Sequence, residues 1–560
     1  MRSELWAKAN RALVAKAIRE LDYEGLIEPR ELAYGTFALQ LAGGASYSFR
    51  GCRGIWGEVR LESETLRRGQ DEVTSASRFF LDARSETAMS DIVLANYLEE
   101  ISSTLAADIR LLERNAGLTA NDLAGLSSLE LQARLEGHPK LIANKGRLGW
   151  SPCDADRFAP ESSPKFQLHW LAVKKTIAHW APGSLENPAL QSLDENAYAS
   201  LASLTELEGF DLIPVHPWQW ERILQRQFGH EIARGEIVPL GPAGDFYTPQ
   251  ISLRTLTNVS RPGFADVKLP LSILNTSAVR GIPSRYALAS VETSREIDRI
   301  AREDELLAGR GCRILRDLAG VTVAPSSHSG IDKAPYRYLE ALGAIWRESS
   351  EGADGETVQL TATLFHRDEL GSSLLASFVE RSGLSTGEWL SAYFEHVVVP
   401  LYHLQARYGL GVVAHGQNVL FRMRNFRPAG VVLKDFQGDW RASTEATVAV
   451  ASQLDRLPPE HLIHDLVTGH FVTVLRFVSS SLSDSVGFPE KDFYAILRRS
   501  LSNYIREYGP VPAAIDLLSP TFERVLLNRV RFEIGYADSA VRPKPQLGRL
   551  VANPMNEVPR

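Results

Sequence analysis

Cysteine is scarce: Cys52, Cys153 and Cys312 are the only three in 560 residues, and no CxxC pair occurs. This scarcity excludes a disulfide framework or a cysteine-built zinc site and fits a reducing compartment. An iron–sulfur cluster, which usually takes four thiolates, is also short of ligands. No apolar run reaches the ~18 residues that a membrane span needs. The opening stretch MRSELWAKANRALVAKAIREL reads as an amphipathic helix and has no signal-peptide core. The cytoplasm is therefore the expected location. Positive charge is not in excess either. A net charge of −7 argues against general binding of nucleic acid or membrane surfaces, while leaving room for a local cationic pocket. The 13 histidines include no HExxH zinc signature, and no GxGxxG loop, HRD sequence or Ser–His–Asp arrangement stands out. Internal repeats and low-complexity segments are missing too.

What is present is ordinary folded-protein composition, 44% hydrophobic and 23% charged, in a chain long enough for two to four domains. Residues 1–135 read as a mostly helical unit. It has a first helix over 4–21, a small glycine-broken antiparallel sheet over 36–66, and a long helix over 88–115 with Ile92, Leu98, Ile101, Leu105, Ile109 and Leu112 on one side. Residues 136–335 form a second unit. It opens on an irregular loop over 136–161 whose four basic residues make it a candidate binding loop. His216, beside Trp218 and Trp220, reads as a packing anchor. From Ser252 to about Val323, strands alternate with basic loops and imply a mixed or antiparallel sheet. Residues 336–560 are expected to be mainly helical, with Pro400 kinking the helix at 388–409 and a loosely held tail from Pro543. The fold class is α+β and multidomain.

The chemistry gathers in two stretches. Residues 252–283 (SLRTLTNVSRPGFADVKLPLSILNTSAVRGIP) set Arg254, Lys268 and Arg280 among the hydroxyls of Ser252, Thr255 and Thr276. Cations and hydroxyl donors fixed on strands suit a polyanion through charge-assisted hydrogen bonds. Alone, the pattern could equally be a sheet with an ordinary basic face. AHGQN at 414–418 and LKDFQGD at 433–439 add an imidazole, amides and a carboxylate. A loop Asn (Asn418) and a strand-end Asp (Asp435), with a Lys on a separate strand (Lys268), are what a protein kinase uses to hold Mg²⁺ and ATP phosphates. Three cations exceed the needs of one Mg²⁺-bound triphosphate, so a second anion is expected. An activated carboxylate fits, with Arg280 and His415 neutralising developing charge. His464, Asp465 and His470 share a helix at no established metal spacing and read as structural.

Several motifs in order carry a resemblance over nearly the whole chain: RGIWG at 53–57, GHPKLIANKGRLGW at 137–150, PVHPWQW at 214–220, SLRTLTN at 252–258, KLPLSILNTS at 268–277, AHGQN, LKDFQGD and IHDLVTGHFVTVLRF at 463–477. The chain resembles the siderophore synthetases that work without peptide synthetase templates, the IucA/IucC family, and within it the aerobactin-type branch. The resemblance implies a hand-like architecture: an N-terminal thumb (1–135), a fingers sheet (136–335) and a helical, distantly kinase-like palm (336–560). It implies an acid–amine ligase that uses ATP and Mg²⁺ to adenylate citrate or a citryl monoamide and joins it to an acylated hydroxy-diamine such as N6-acyl-N6-hydroxylysine. A homodimer is compatible with it. Ser252, Arg254, Thr255 and Lys268 would hold ATP phosphates, bordered by His138, Lys145 and Arg147. Thr276, Arg280, His415 and Gln417 would face the carboxylate substrate, with Asn418 and Asp435 near phosphate and metal. Two positions depart from the common pattern: Leu141-Ile142 replaces a second His-Pro, and Val413 stands where many members have Glu. The first substitution favours an apolar rim, and so a citryl monoamide over free citrate. The rival readings are a kinase-like phosphotransferase and a ferric-siderophore-binding or reducing protein.

Overall fold

A computed structural model of the chain describes residues 2–203, 209–276, 278–351, 355–536, 538–539 and 546–556. Helix Arg2–Glu24 buries Ala9, Leu13, Val14, Ala17, Ile18 and Leu21, a three-and-four spacing that presents one apolar face. That face meets helix Asp91–Asn115 and an antiparallel sheet built on Thr36–Gln40 and Ser46–Arg53. In the second helix the buried stripe runs through Leu94, Tyr97, Ile101, Leu105 and Leu111. Ile92, expected on that stripe, lies in the first turn and is 75% exposed.

The centre of the molecule is an eight-stranded sheet. Its order is His179–Trp180, Asp317–Val323, Leu342–Arg347, Asp266–Lys268, Thr255–Asn258, Ile237–Pro249, Phe166–Lys174 and Phe210–Val215. Every pairing is antiparallel, so the mixed alternative is corrected. The sheet takes strands from both sides of residue 335. His216 is buried, caps the turn at Pro217 by accepting the Trp218 N–H, and packs edge-on against Phe158 and Phe166, as a packing anchor should.

The stretch expected to alternate strands and loops up to Val323 contains a 20-residue helix, Ser284–Glu303. Its buried face is made largely of Ala287, Ser290, Thr293, Ser294 and Ala301, small residues that give a weak hydrophobic signal in sequence. The loop at 136–161 likewise contains a helix, Pro152–Phe158, and its start was legible: Ser151 and Asp154 form a capping box, with Pro152 in the first turn.

Beyond the sheet, helices surround two small sheets. The hairpin Val419–Arg424 with Arg427–Leu433 leads one of them, and Leu410–Val412 with Trp440–Ser443 the other. The helix expected to kink at Pro400 runs as Thr386–Tyr393, then as a π-helical stretch Phe394–Val398, then as Val399–Tyr408. The widened turn accommodates the missing proline N–H. Gly409 ends the helix in the left-handed region at φ 62°. The tail is not loose throughout: Gln546–Ala552 pairs antiparallel with Thr521–Leu526, and Met555 is fully buried. A partner strand supplies the order that its own pattern does not announce. Ser277 and, within the tail, residues 543–545 and 557–560 lie outside the described residues. Among the described residues, no helix is long and apolar enough to cross a membrane.

Candidate active site

Where the binding loop, the end of the central sheet and the loop after Val412 converge, they enclose a cavity of about 250 Å³. Of the thirteen residues singled out from the sequence, twelve line it: His138, Lys145, Arg147, Ser252, Arg254, Thr255, Thr276, Arg280, His415, Gln417, Asn418 and Asp435. Lys268 stands directly behind, ion-paired with Asp435 and bonded to Gln437. Residues separated by more than 290 positions are thus gathered around one space.

The backbone around this space is strained. Arg147 (φ 43°), Leu253 (φ 68°), Thr276 (φ 64°) and Asp435 (φ 77°) all occupy the left-handed region without being glycine. Each costs on the order of 1–3 kcal/mol and persists only where the surroundings over-determine it. One such constraint is visible: Leu148 and Leu274 exchange backbone hydrogen bonds of 2.9 and 3.1 Å, tying the binding loop to strand Leu271–Asn275. This bridge brings Arg147 and Thr276 to the same rim. Arg280 in turn donates to the Asn275 carbonyl (2.7 Å) and to the Thr276 hydroxyl. Arg254 donates to the Gly281 carbonyl at 2.5 Å.

Behind the rim, a buried network fixes the cationic wall. Arg347 donates to Asp317 (2.7 Å) and Gln437 (3.2 Å), and Gln437 donates to Asp317 (2.7 Å). Lys434 reaches Gln250 at 3.2 Å, and Gln250 donates to Asp266 at 2.8 Å. Burial pulls the Lys268 and Lys434 ammonium groups down to about 8, and pushes the Asp266 carboxyl up to about 6. Burial also opposes ionisation of Asp435, but Lys268 and Arg347 more than offset it and hold that carboxyl far below the usual range. Lys268 and Asp435 are both needed: removing either partner of such a buried pair costs about 3–5 kcal/mol.

Two histidines line the cavity. His138 Nδ1 accepts the Leu141 N–H (3.1 Å), and His415 Nδ1 accepts the Gln417 N–H (3.2 Å). In the neutral ring each therefore carries its proton on Nε2. Burial lowers both pKa values; at His138 the nearby His415 adds to the effect, while at His415 the carboxylates of Asp439 and Asp435 oppose it and Arg280 and Lys434 reinforce it.

Several expectations need adjusting. Of the four basic residues in the binding loop, Lys145 and Arg147 line the cavity, each already paired with a carboxylate: Asp108 at 2.7 Å and Glu161 at 2.6 Å. Lys140 is fully buried against Glu24 (2.7 Å), and Arg157 pairs at the surface with Glu221. Of the Leu141-Ile142 pair, only Leu141 reaches the cavity. Ile142 is fully buried in the N-terminal core, in the cluster that holds Phe532. The apolar part of the lining is Leu141 with Leu135, Ile251 and Leu360, of which Leu135 and Leu360 are buried. Lys434, Gln437 and Asp439 were within reach of the sequence, since they sit inside LKDFQGD. Arg347, Asp317 and Asp266 end apolar strands and carried no signal. Among the described residues, no group of three His, Cys, Asp or Glu side chains is placed to hold a metal.

Comparison with known proteins follows the same outline. Residues 127–366 match the model of the IucA/IucC family, and residues 387–539 match one described as a ferric iron reductase FhuF-like transporter. Aerobactin synthase of Escherichia coli is 38% identical over 98% of this chain and 98% of its own length. The solved aerobactin synthetase IucC from a hypervirulent Klebsiella pneumoniae superposes with a TM-score of 0.88 at 37% identity, covering 99% of both chains. An ATP-bound aerobactin synthetase IucA from the same source shares the fold, with a TM-score of 0.78 at 20% identity over 98% of this chain and 99% of that one. With a cavity assembled from the motifs of all three segments and full-length similarity to aerobactin synthases, the chain belongs to the IucA/IucC family.

Proposed function

We propose that the protein is an ATP-dependent siderophore synthetase, an acid–amine ligase joining a citrate-type carboxylate to an N6-acyl-N6-hydroxylysine-like amine. A carboxylate oxygen would bond the α-phosphorus of ATP while pyrophosphate leaves. The amine nitrogen would then bond the acyl carbon, losing a proton, while AMP leaves. The observation that carries this reading is the cavity itself, lined by Arg254, Lys434, Arg280 and His415, in a chain similar end to end to aerobactin synthase.

On this reading Ser252, Arg254 and Thr255, bordered by His138, Lys145 and Arg147 and with the Lys268 charge behind them, hold the phosphates. Thr276, Arg280, His415 and Gln417 hold the carboxylate, whose negative charge the Arg280 guanidinium offsets as it moves to phosphorus. The neutral His415 ring offers its Nε2–H as a donor to a carboxylate oxygen. Mg²⁺ fits the oxygen chemistry of Asp435 and Asn418: the Asp435 ion pair runs through Oδ1, and the Asn418 amide nitrogen serves Val413 and Asp439, which leaves an oxygen on each. When bound, the ion would neutralise phosphate charge. Residues 1–135, 136–335 and 336–560 would act as thumb, fingers and distantly kinase-like palm of a cytoplasmic enzyme, compatible with a homodimer. The apolar rim favours a citryl monoamide, and hence the second of two condensations, over free citrate.

Chromatography of the nucleotide product tests the reading. AMP and pyrophosphate, formed only with carboxylate present, are expected; ADP would overturn adenylation and favour attack at the γ-phosphorus. The FhuF-like match at 387–539 gives the reductase reading its one support. That stretch contains no cysteine, so thiolate ligation of a cluster within it has no residues to use.

A further inference from the structure

The loop 413–418 carries His415, yet few of the contacts that fix it involve charge. Val413 N–H donates to the Asp439 carbonyl (2.8 Å), and Ala362 N–H to the Gly416 carbonyl (3.1 Å). The third side is a helical run from His464 to Val486, made of His464–Leu466, a nine-residue π-helical stretch Val467–Leu475, and Arg476–Val486. There the Ala414 N–H donates to the Asp465 carbonyl (2.9 Å), and the Ala414 carbonyl lies 3.1 Å from His470 Nδ1. Gly469 lets the two backbones touch, since a Cβ built on it would fall 2.6 Å from the Ala414 nitrogen.

His470 is fully buried, and its protonation follows from its neighbours. A carbonyl only accepts, so Nδ1 must carry the proton. Nε2 is then the acceptor for the Tyr393 hydroxyl at 3.1 Å, and the two rings lie nearly parallel at 17°. Tyr393 immediately precedes the other π-helical stretch of this region, Phe394–Val398. π-Helical turns are rare and gather at functional sites, and here two of them meet at one Tyr–His pair pressed against the residue before His415. Burial lowers His470 to about 4, so the ring is a neutral strut at working pH.

Resting on the ligase reading, we propose that His470, seated by Tyr393 and admitted by Gly469, is the positioning residue for His415: its Nδ1–H···O=C bond to Ala414 fixes the loop so that the His415 ring faces the carboxylate site. The IHDLVTGH motif thereby has a task other than metal binding. A misplacement of the loop by about 1 Å is enough to cost on the order of 10²-fold in rate.

The test uses the full chain and an Asn/Gln pair. An Asn amide nitrogen stands where Nδ1 stands, and a Gln amide nitrogen where Nε2 stands. His470→Asn is expected to keep kcat for carboxylate-dependent AMP release within about threefold of the wild type, and His470→Gln to lose about 10- to 100-fold, with KM for ATP within about twofold in both. Gly469→Ala should resemble His470→Gln. In ¹⁵N-histidine spectra of the wild type, His470 should be the Nδ1–H tautomer. The His415 signals should shift in the Gln variant and not in the Asn variant. Equal losses for Asn and Gln would mean a packing role and overturn the proposal, as would a KM for ATP that moves with kcat. An Nε2–H tautomer for His470 in the wild type overturns it without any variant, which decides the matter should the variants not fold. If the wild type releases no AMP, the ligase reading falls while the histidine spectra still judge the clamp.

Discussion

The two sides of the cavity are held in opposite ways. The sheet side is a lattice of buried charge, in which Lys268, Arg347 and Lys434 interlock with Asp435, Asp317 and Asp266, directly or through Gln437 and Gln250. The loop side, at 413–418, is pinned mainly by backbone hydrogen bonds and by neutral rings. Charge is suited to gripping a polyanion, but it makes the wall pH-sensitive and intolerant of single deletions. Neutral packing fixes a side chain with little dependence on pH or salt. The difference points to a division of labour, with nucleotide gripped on the charged side and carboxylate oriented on the neutral one.

The sharpest test of that division is Arg280, on the seam between the two sides. Arg280→Ala is expected to lower carboxylate-dependent pyrophosphate release by about 10²-fold or more while leaving the fold intact. Arg280→Lys should recover little, because a point ammonium cannot reproduce the planar fork. Wild-type turnover in the alanine variant at saturating substrates would remove Arg280 from the site.

Asp435→Asn attacks the charged side alone. The Mg²⁺ needed for half-maximal rate should rise by about tenfold. Stability in urea should fall by about 3 kcal/mol, because Lys268 and Arg347 lose their shared anion. An unchanged magnesium dependence would move the metal elsewhere.

The next effect is one of pH. Lys268 and Lys434 sit near 8 in the folded protein, against the ordinary 10.5. Between pH 8 and 10.5 the unfolded chain therefore binds more protons than the folded one, and stability contributed by these groups rises with pH. Affinity for ATP should move the opposite way, because the grip on phosphate loses its charge above about pH 8. Following kcat/KM for ATP beside urea midpoints from pH 7 to 10 should show opposite slopes; parallel slopes would show that the charge of these lysines does not act on the nucleotide.

The smallest effect concerns the carboxylate. With only Leu141 of the Leu141-Ile142 pair at the cavity, the apolar rim shrinks to a few side chains, and a preference of severalfold for the citryl monoamide over citrate is expected. Competing the two at equal concentration with one amine measures it directly, and equal consumption would refute the preference.

Both sides were legible in part. Arg254, Lys268, Arg280 and Asp435 on the charged side, and His415, Gln417 and Asn418 on the loop side, sit in short polar motifs, whereas Arg347, Asp317 and Asp266 are single charges at strand ends and form no pattern. Periodicity found the helices Arg2–Glu24 and Glu490–Tyr508 for a similar reason: a large apolar stripe announces itself. Ser284–Glu303 went unread although it is amphipathic, because its period is carried by charged residues on the outer face and its buried face is largely serine, threonine and alanine; the strand Gln546–Ala552 owes its order to a distant partner.

By itself, then, the sequence determined the residue chemistry of the site and most of the elements that carry it, because charge, hydroxyls and hydrophobic period are local properties. Only the tertiary structure decided which residues face one another. It sent Leu141 to the cavity and Ile142 to the core, buried Arg347 behind Lys268, and set His470 against Ala414 across 56 positions of chain. Those outcomes depend on long-range packing and on backbone groups, which every residue possesses and no sequence pattern distinguishes.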